Sequence, residues 1–351
     1  MTKTKSPQIR RIALLTGGGD APGLNGVIES IVRSAKTSQI EVLGILDGFE
    51  GVFEKRTLLL TENEIWGQHT RAGTLLGTSN KSFIQGREKE FVANLKSFGV
   101  EGLVAAGGDG TFASLSRIAN EVPLLGVPKT IDNDLAGTDV TFGYDTACGV
   151  VADSIDALRA TAEAHRRVIV VETMGRTTGW IVLGGGLASY ADAILMPERP
   201  FSRAKLKSFL LEKKNAGRRG LVLAVAEGAA AENETVQVAF RVEGSPQKDR
   251  YGGVAQALSR WIEEVVGWES RHVVLGHLQR SSPPTTTDRF LTLTMGVEIT
   301  RMLQQKIWQQ AVVYRNGIVT RAPIQDLMQA ARLVPREHHW IENARMLDIF
   351  V

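Results

Sequence analysis

Short runs of aliphatic and β-branched residues recur along the chain: "RIALLT" from Arg11, "IEVLGILDG" from Ile40, "GLVAAGG" from Gly102 and "PLLGVPKT" from Pro123. The series continues with "RRVIVVETMG" from Arg166, "ADAILMPE" from Ala191, "GLVLAVAEG" from Gly220 and "RHVVLGHLQR" from Arg271. Apolar residues run through these segments without alternation, which predicts strands covered on both faces. Between them the period becomes helical. Leu24, Val27, Ile28, Ile31 and Val32 form one apolar stripe, and Val150, Val151, Ile155 and Leu158 form another. Strands alternating with helices predict parallel sheets and an α/β fold. "GAAAENET" from Gly228 and "RVEGSPQKDRYGG" from Arg241 carry enough Gly, Pro or charge to predict loops.

Composition bounds the picture. A chain of 351 residues with 43% hydrophobic residues and 36 glycines is long enough for two domains, and 6% aromatic content predicts aliphatic cores. The formal charge is +3, but Lys3, Lys5, Arg10 and Arg11 alone supply more than that. The body is close to neutral and carries no electrostatic footprint for nucleic acid. The single cysteine, Cys148, excludes an intrachain disulfide and fits a reducing compartment. No apolar run approaches the ~18 residues that span a bilayer, and the basic start lacks a secretory apolar region. The expectation is a cytoplasmic protein with neither membrane nor nucleic acid as partner.

In open α/β sheets ligands gather outside the carboxyl ends of the strands. "TGGGDAPG" follows the first predicted strand, "GGDGT" follows "LVAA", "TIDND" follows "LLGVPK", and "MGRTTG" follows "VIVVE". These four polar ends predict one crevice. Gly17, Gly18, Gly19 and Gly23 allow close approach of backbone to a phosphate at a strand-to-helix turn. The bland alternative is a tight turn, since the stretch is neither a P-loop nor a strict G-x-G-x-x-G. "AAGGDGTFASL" repeats the device with Gly108, Gly110 and Thr111, and adds Asp109, a natural contact for Mg2+ beside a di- or triphosphate. In "GVPKTIDND" Lys129 stands beside Thr130, Asp132, Asn133 and Asp134, a set suited to phosphate and proton chemistry. The remaining histidines, His69, His165, His272, His338 and His339, show no zinc spacing.

"GGDGT" alone is shared by several kinase families. Together with "GGDAPGLN", "PKTIDND", "ETMGRTTG" and "GHLQR", in that order, it resembles the phosphofructokinase family from about Ile12 to Arg289. The resemblance implies two similar Rossmann-like three-layer α/β domains with parallel-rich sheets and the active site in the cleft between them. Residues 1–143 with 280–329 would form the phosphoryl-donor domain, and 144–279 with 330–351 the sugar-phosphate domain. It also implies transfer of a phosphoryl group to the 1-hydroxyl of fructose 6-phosphate, with Asp132 as general base and Thr130 and Arg176 beside the transferred group. Gly18, Gly19, Gly108, Gly110, Thr111 and Lys129 would bind the donor, and Asp109 the Mg2+. Arg167, Arg271, His277 and Arg280 match the sugar-phosphate residues, and Met174, Gly175, Arg176 and Glu198 match positions lining the sugar. Arginine suits phosphate because its fork grips two oxygens. Counterparts of Arg167 and Arg271 come from a neighbouring subunit, so a homodimer or homotetramer is implied. Taken singly, Asp132 fits a helix N-cap or a solvated turn, each arginine a surface cation, and His277 a core histidine.

The chain departs from the family pattern in three places. Asn80 stands where an arginine usually contacts both phosphates, and Lys81 beside it points the other way on extended backbone. Ser281 and Ser282 replace the usual glycines after "GHLQR". Bacterial relatives hold effector phosphates with a set of arginines; Arg33 and Arg159 keep two of those places, while Glu29 and Glu62 replace two others. The donor signals conflict. Gly110 leaves room for a nucleotide's α-phosphate, which favours ATP, whereas Lys129 is the residue type of pyrophosphate users. Gly110 is weighted above Lys129, because exclusion by a bulky acid is harder to evade than the presence of an extra cation. The alternatives are a pyrophosphate-dependent enzyme and a catalytically weak sugar-phosphate-binding paralogue; a Rossmann dehydrogenase lacks a convincing acidic ribose partner.

Overall fold

The computed structural model describes residues 9–79, 84–241 and 249–351. Asn80 and Lys81 lie outside the described residues, as does 242–248 within the second predicted loop. Contacts divide the chain into two units. One holds the residues up to Ile131 together with Leu135–Asp145 and Arg280–Ala331; the other holds Asp132–Asp134, Thr146–Gln279 and Arg332–Val351.

The first unit contains β1 (Arg11–Thr16), β2 (Glu41–Ile45), β3 (Thr57–Leu59), β4 (Leu103–Gly107) and β5 (Leu124–Pro128). The second contains β6 (Val168–Thr173), β7 (Ala193–Leu195), β8 (Leu221–Ala226), β9 (Val238–Arg241), β10 (Asp249–Tyr251) and β11 (Ser270–Val274). The chain then returns to the first with β12 (Gln310–Arg315) and β13 (Ile318–Pro323). The first unit's sheet has the order β13-β12-β5-β4-β1-β2-β3. Its inner pairs are parallel, and β3 and β13 pair antiparallel at the edges.

Both faces of this sheet are covered, which explains the unbroken apolar runs. Ile12 and Leu14 of β1 pack into a core shared with the helices Leu24–Thr37 and Thr286–Gln305. Ala13 and Leu15 face a second core with Phe91 and Leu95 of the helix Glu88–Ser97 and Phe112 of the helix Asp109–Leu115. Each fully buried aliphatic side chain contributes about 1.5–3 kcal/mol. All five residues of the first predicted stripe are buried. In the second, Val151 and Ile155 are buried while Val150 and Leu158 are half-buried.

The second unit's main sheet, β11-β6-β8-β7, is parallel throughout. β6 and β8 are buried along their whole length, with Val168, Val170, Leu221 and Leu223 in a core closed by the helices Arg203–Asn215 and Val254–Trp261. β11 departs from the expectation of a doubly covered strand. It is an edge strand whose Arg271, His272 and Val274 are exposed, and "LQRS" leaves it as the short helix Leu278–Ser281. The second predicted loop is also corrected at its ends, where Arg241 and Asp249–Tyr251 pair in the antiparallel hairpin β9–β10. "GAAAENET" has neither helix nor extended strand. No helix among the described residues is long and apolar enough to cross a membrane.

Candidate active site

In the first unit, β1, β4 and β5 lie side by side and parallel, so their carboxyl ends emerge on one edge. Strand order reverses between β1 and β4, because β2 follows on one side and β5 on the other. A ligand site is expected at such a switch point. Gly17 and Gly107 close around the buried side chain of Thr111, whose Oγ1 lies 2.6 and 2.5 Å from where their Cβ atoms would stand. Gly18 has φ 76°, a left-handed turn that glycine adopts without strain, and a Cβ there would lie 3.2 Å from Lys129 Nζ. The Lys129 side chain is buried, and its backbone N–H donates to the Gly107 carbonyl at 2.9 Å. Thr141 Oγ1 donates to the Thr130 carbonyl at 2.7 Å. The first two predicted strand ends and Lys129 at the end of β5 are therefore brought together. Gly108 is half-buried, Asp109 and Gly110 are exposed, and a Cβ at Gly110 would meet nothing within 4 Å. Arg280 joins the same unit: its Nη1 donates to the Asp20 carbonyl at 2.5 Å and fills the space beside Gly19.

The turn Asp132–Asp134 groups with the second unit. Asp132 is only 4% exposed and heads no helix, so neither an N-cap nor a solvated turn describes it. Thr178 Oγ1 lies 3.3 Å from the Asp132 carbonyl and 3.1 Å from that of Gly175. The "MGR" loop is equally constrained. Gly175 has φ 139° and Arg176 has φ 53°, and the Arg176 N–H donates to Glu227 Oε1 at 2.9 Å. The Met174 N–H donates to Oε1 of the fully buried Gln279 at 3.3 Å. Glu198 accepts from Gly179 and Val334 N–H groups through Oε1, while its buried Oε2 has no partner among the described residues. Arg167 and Arg271 converge on one carboxylate at the β11 edge, reaching Glu269 at 3.3 and 2.9 Å; Arg271 also pairs with Glu263 at 2.8 Å. His277 is exposed.

Sequence reasoning passed over Glu227, Gln279 and Glu172. Gln279 sits inside "GHLQR" itself. Glu227 follows a wholly apolar strand, the same signal that drew attention to the other strand ends. Glu172 is buried in β6 and accepts from the Gly253 and Ala255 N–H groups at 3.2 and 2.9 Å. Burial pushes the Glu227 carboxyl up to about 7; the Arg176 N–H pulls the other way, while the negative charges of Asp132 and Glu172 add to the rise.

A separate cluster in the first unit surrounds Glu29. Glu29, 3% exposed, accepts from Arg33 at 2.7 Å and from the His69 ring and backbone N–H at 2.9 and 2.8 Å. Burial alone would raise its pKa, but the hydrogen bonds and charges of His69 and Arg33 hold it below the ordinary carboxylate value. Glu62 pairs with Lys36 at 2.6 Å. In the second unit Arg159 lies 3.6 Å from Asp192 and donates to the carbonyls of Ser189 and Tyr190. No group of three or more His, Cys, Asp or Glu side chains among the described residues could hold a metal ion. A lone exposed carboxylate such as Asp109 still fits Mg2+, which is commonly held by one or two carboxylates together with phosphate oxygens and water.

A family model described as Phosphofructokinase matches residues 11–303. The chain is 36% identical over 358 residues to the "ATP-dependent 6-phosphofructokinase 2" of Clostridium perfringens, covering 97% of this chain and 98% of that protein. It is 39% identical over 319 residues to the "Pyrophosphate–fructose 6-phosphate 1-phosphotransferase" of Streptomyces coelicolor, covering 90% and 93%. Among solved structures, phosphofructokinase from Saccharomyces cerevisiae superposes with a TM-score of 0.80 at 26% identity over 91% of this chain. This chain spans 44% of the yeast polypeptide.

The raised pKa of Glu227 predicts a pH dependence of stability. The folded state holds a proton that the unfolded chain releases near 4.5, so this contribution is complete below 4.5 and is lost as pH rises through about 7. Glu227→Gln keeps an acceptor for the Arg176 N–H and cannot ionise. Relative to wild type it should gain up to about 3 kcal/mol between pH 4.5 and pH 8. Urea unfolding of both proteins at the two pH values measures the difference, and a pH-independent gap would remove Glu227 from this role.

Proposed function

The chain belongs to the phosphofructokinase family, and we propose that it transfers the terminal phosphoryl group of ATP to the 1-hydroxyl of fructose 6-phosphate. The observation that carries the mechanism is Asp132, a buried carboxylate on a turn hydrogen-bonded to the "MGR" loop. Asp132 removes the hydroxyl proton as the new O–P bond forms, and Thr130 and Arg176 flank the transferred group. Met174, Gly175 and Glu198 line the sugar, with the unpartnered Glu198 Oε2 accepting from a sugar hydroxyl. Arg280 and His277 hold the sugar's phosphate. Arg167 and Arg271 serve the neighbouring copy in a homodimer or homotetramer. Gly18, Gly19, Gly108, Gly110, Thr111 and Lys129 bind the donor. Asp109 would hold Mg2+ together with donor phosphate oxygens and water, and the ion would supply positive charge beside the transferred group. The proposed reaction is a step of glycolysis, and the enzyme is read as cytoplasmic.

A second reading, pyrophosphate as donor, is favoured by Lys129 and by the Streptomyces relative's name. The space around Gly110 supports the first. An aspartate there would fill the room for an α-phosphate, and glycine leaves it open.

Asp132→Asn should lower turnover by ~10²–10⁴ while fructose 6-phosphate binding stays nearly intact. Near-normal kcat would take Asp132 out of the mechanism.

Wild type should turn over ATP far better than pyrophosphate, and Gly110→Asp should abolish use of ATP. Because a side chain at 110 meets open space, loss of ATP use in a folded variant reports donor chemistry. A preference of wild type for pyrophosphate would overturn the reading of Gly110.

ADP and phosphoenolpyruvate should have little effect on rate. The Arg33 guanidinium is engaged by Glu29, and Glu62 presents negative charge where an anionic effector would need cations. Rate curves at saturating donor, with and without millimolar ADP, test this, and strong activation would sink it.

A further inference from the structure

Between β13 and the helix His339–Met346 the chain runs without regular structure from Ala331 to Pro335, and Arg332 lies in this stretch. Arg332 makes two bonds to the turn that carries Asp132. Its backbone N–H donates to the Asp134 carbonyl at 2.8 Å, and its Nη2 donates to the Asn133 carbonyl at 3.0 Å. It makes two further contacts with Trp180, the first residue of the helix after "MGRTTG". The Trp180 Nε1–H donates to the Arg332 carbonyl at 2.7 Å, and the guanidinium lies over the indole ring, 4.2 Å from its centroid. Trp180 is 4% exposed, and the His338 ring meets it edge-on at 5.3 Å.

These contacts bear on one geometric problem. Asn133 has φ 54°, a left-handed conformation that asparagine tolerates better than most non-glycine residues and that fixes the direction of its flanking carbonyls. Thr178 holds the carbonyl before this residue, and Arg332 holds the two that follow. The orientation of the Asp132 carboxylate depends on the peptide planes so fixed. A general base displaced by about 1 Å loses on the order of 10²-fold in rate.

We infer that Arg332 is a positioning residue for the reaction: its guanidinium, braced on Trp180, clamps the Asp132–Asp134 turn. The inference rests on the reading of Asp132 as the base. It does not rest on the attachment of the 331–335 stretch, because Val334 N–H is tied separately to Glu198 at 2.9 Å and Ile341 and Ala344 of the following helix are buried. Removing the guanidinium should therefore leave that stretch docked.

The test compares Arg332→Ala, Arg332→Lys, Trp180→Phe and Asp132→Asn in full-length protein, by steady-state kinetics and thermal unfolding. Arg332→Ala should lower kcat ten- to a hundredfold with the fructose 6-phosphate KM within threefold of wild type. Arg332→Lys keeps a cation over the indole and a donor, so it should recover most of the lost kcat. Trp180→Phe should fall between wild type and Arg332→Ala. A role in folding alone would lower melting temperature and yield of active enzyme without this split between kcat and KM. Wild-type kcat in Arg332→Ala, alongside an inactive Asp132→Asn, overturns the clamp and leaves the base reading standing. An active Asp132→Asn overturns the base reading itself. If Arg332→Ala does not fold, wild-type kcat in both Arg332→Lys and Trp180→Phe overturns the clamp, and a loss in Trp180→Phe that Arg332→Lys does not match supports it.

Discussion

Thr111 occupies the space that side chains on two neighbouring strand ends would otherwise claim. With its Oγ1 2.6 Å from the Cβ position of Gly17 and 2.5 Å from that of Gly107, neither residue can carry a side chain while β1 and β4 remain in register. The consequence reaches beyond steric fit. Once β1 and β4 end on backbone alone, the turn after β1 can bring Gly18 within reach of the Lys129 ammonium at the end of β5. "GGDGT" therefore works as one device. Its first glycine makes room for its own threonine, and that threonine requires a glycine at the end of β1.

The second unit solves a different problem, that of keeping carboxylates out of water. Glu172 meets it with two backbone donors at the start of the helix Val254–Trp261. Glu227 has one backbone donor and two acidic neighbours, and it holds its proton to about 7. Glu29 in the first unit shows the opposite outcome. Guanidinium and imidazole contacts hold its pKa below the ordinary carboxylate value. Desolvation and the partners present together decide which acid ionises.

Much of this was legible from pattern, and the failures have physical causes. Runs such as "LVAAG" and "VIVVET" advertise strands because both faces are covered, and their polar ends mark the carboxyl edge. β12 and β13 went unread although "YRNGIV" carries a hairpin signal: Asn316 and Gly317, with φ 52° and 83°, form the two-residue turn between them. β11 misled because a parallel edge strand can hold valines and still expose one side. The site motifs were readable because each is local. Arg332 was not, since it contacts Asn133 across 199 residues of sequence and belongs to a stretch with no motif of its own. Lys129 stood out in the sequence by its polar neighbours, while its burial was not legible there.

Asn133 and Arg176 hold left-handed backbone with φ 54° and 53°. Asparagine tolerates this region better than most residues, whereas at Arg176 the cost is about 1–3 kcal/mol, to be met by contacts that relaxed backbone would lose. The structure holds both residues in the same way. A charged or titrating side chain from a distant segment pairs with a backbone group of the residue: Arg332 donates to the Asn133 carbonyl, and Glu227 accepts from the Arg176 N–H. A guanidinium bond to a carbonyl is charge-assisted and stronger than a neutral one. The Glu227 bond to Arg176 strengthens when the carboxyl ionises. The two braces therefore differ in kind. The arginine holds its turn at any physiological pH, whereas the glutamate tightens on the "MGR" loop only as pH rises through about 7. The Asp132–Asp134 turn is held by a guanidinium, and the "MGR" loop by a group whose charge changes near neutrality.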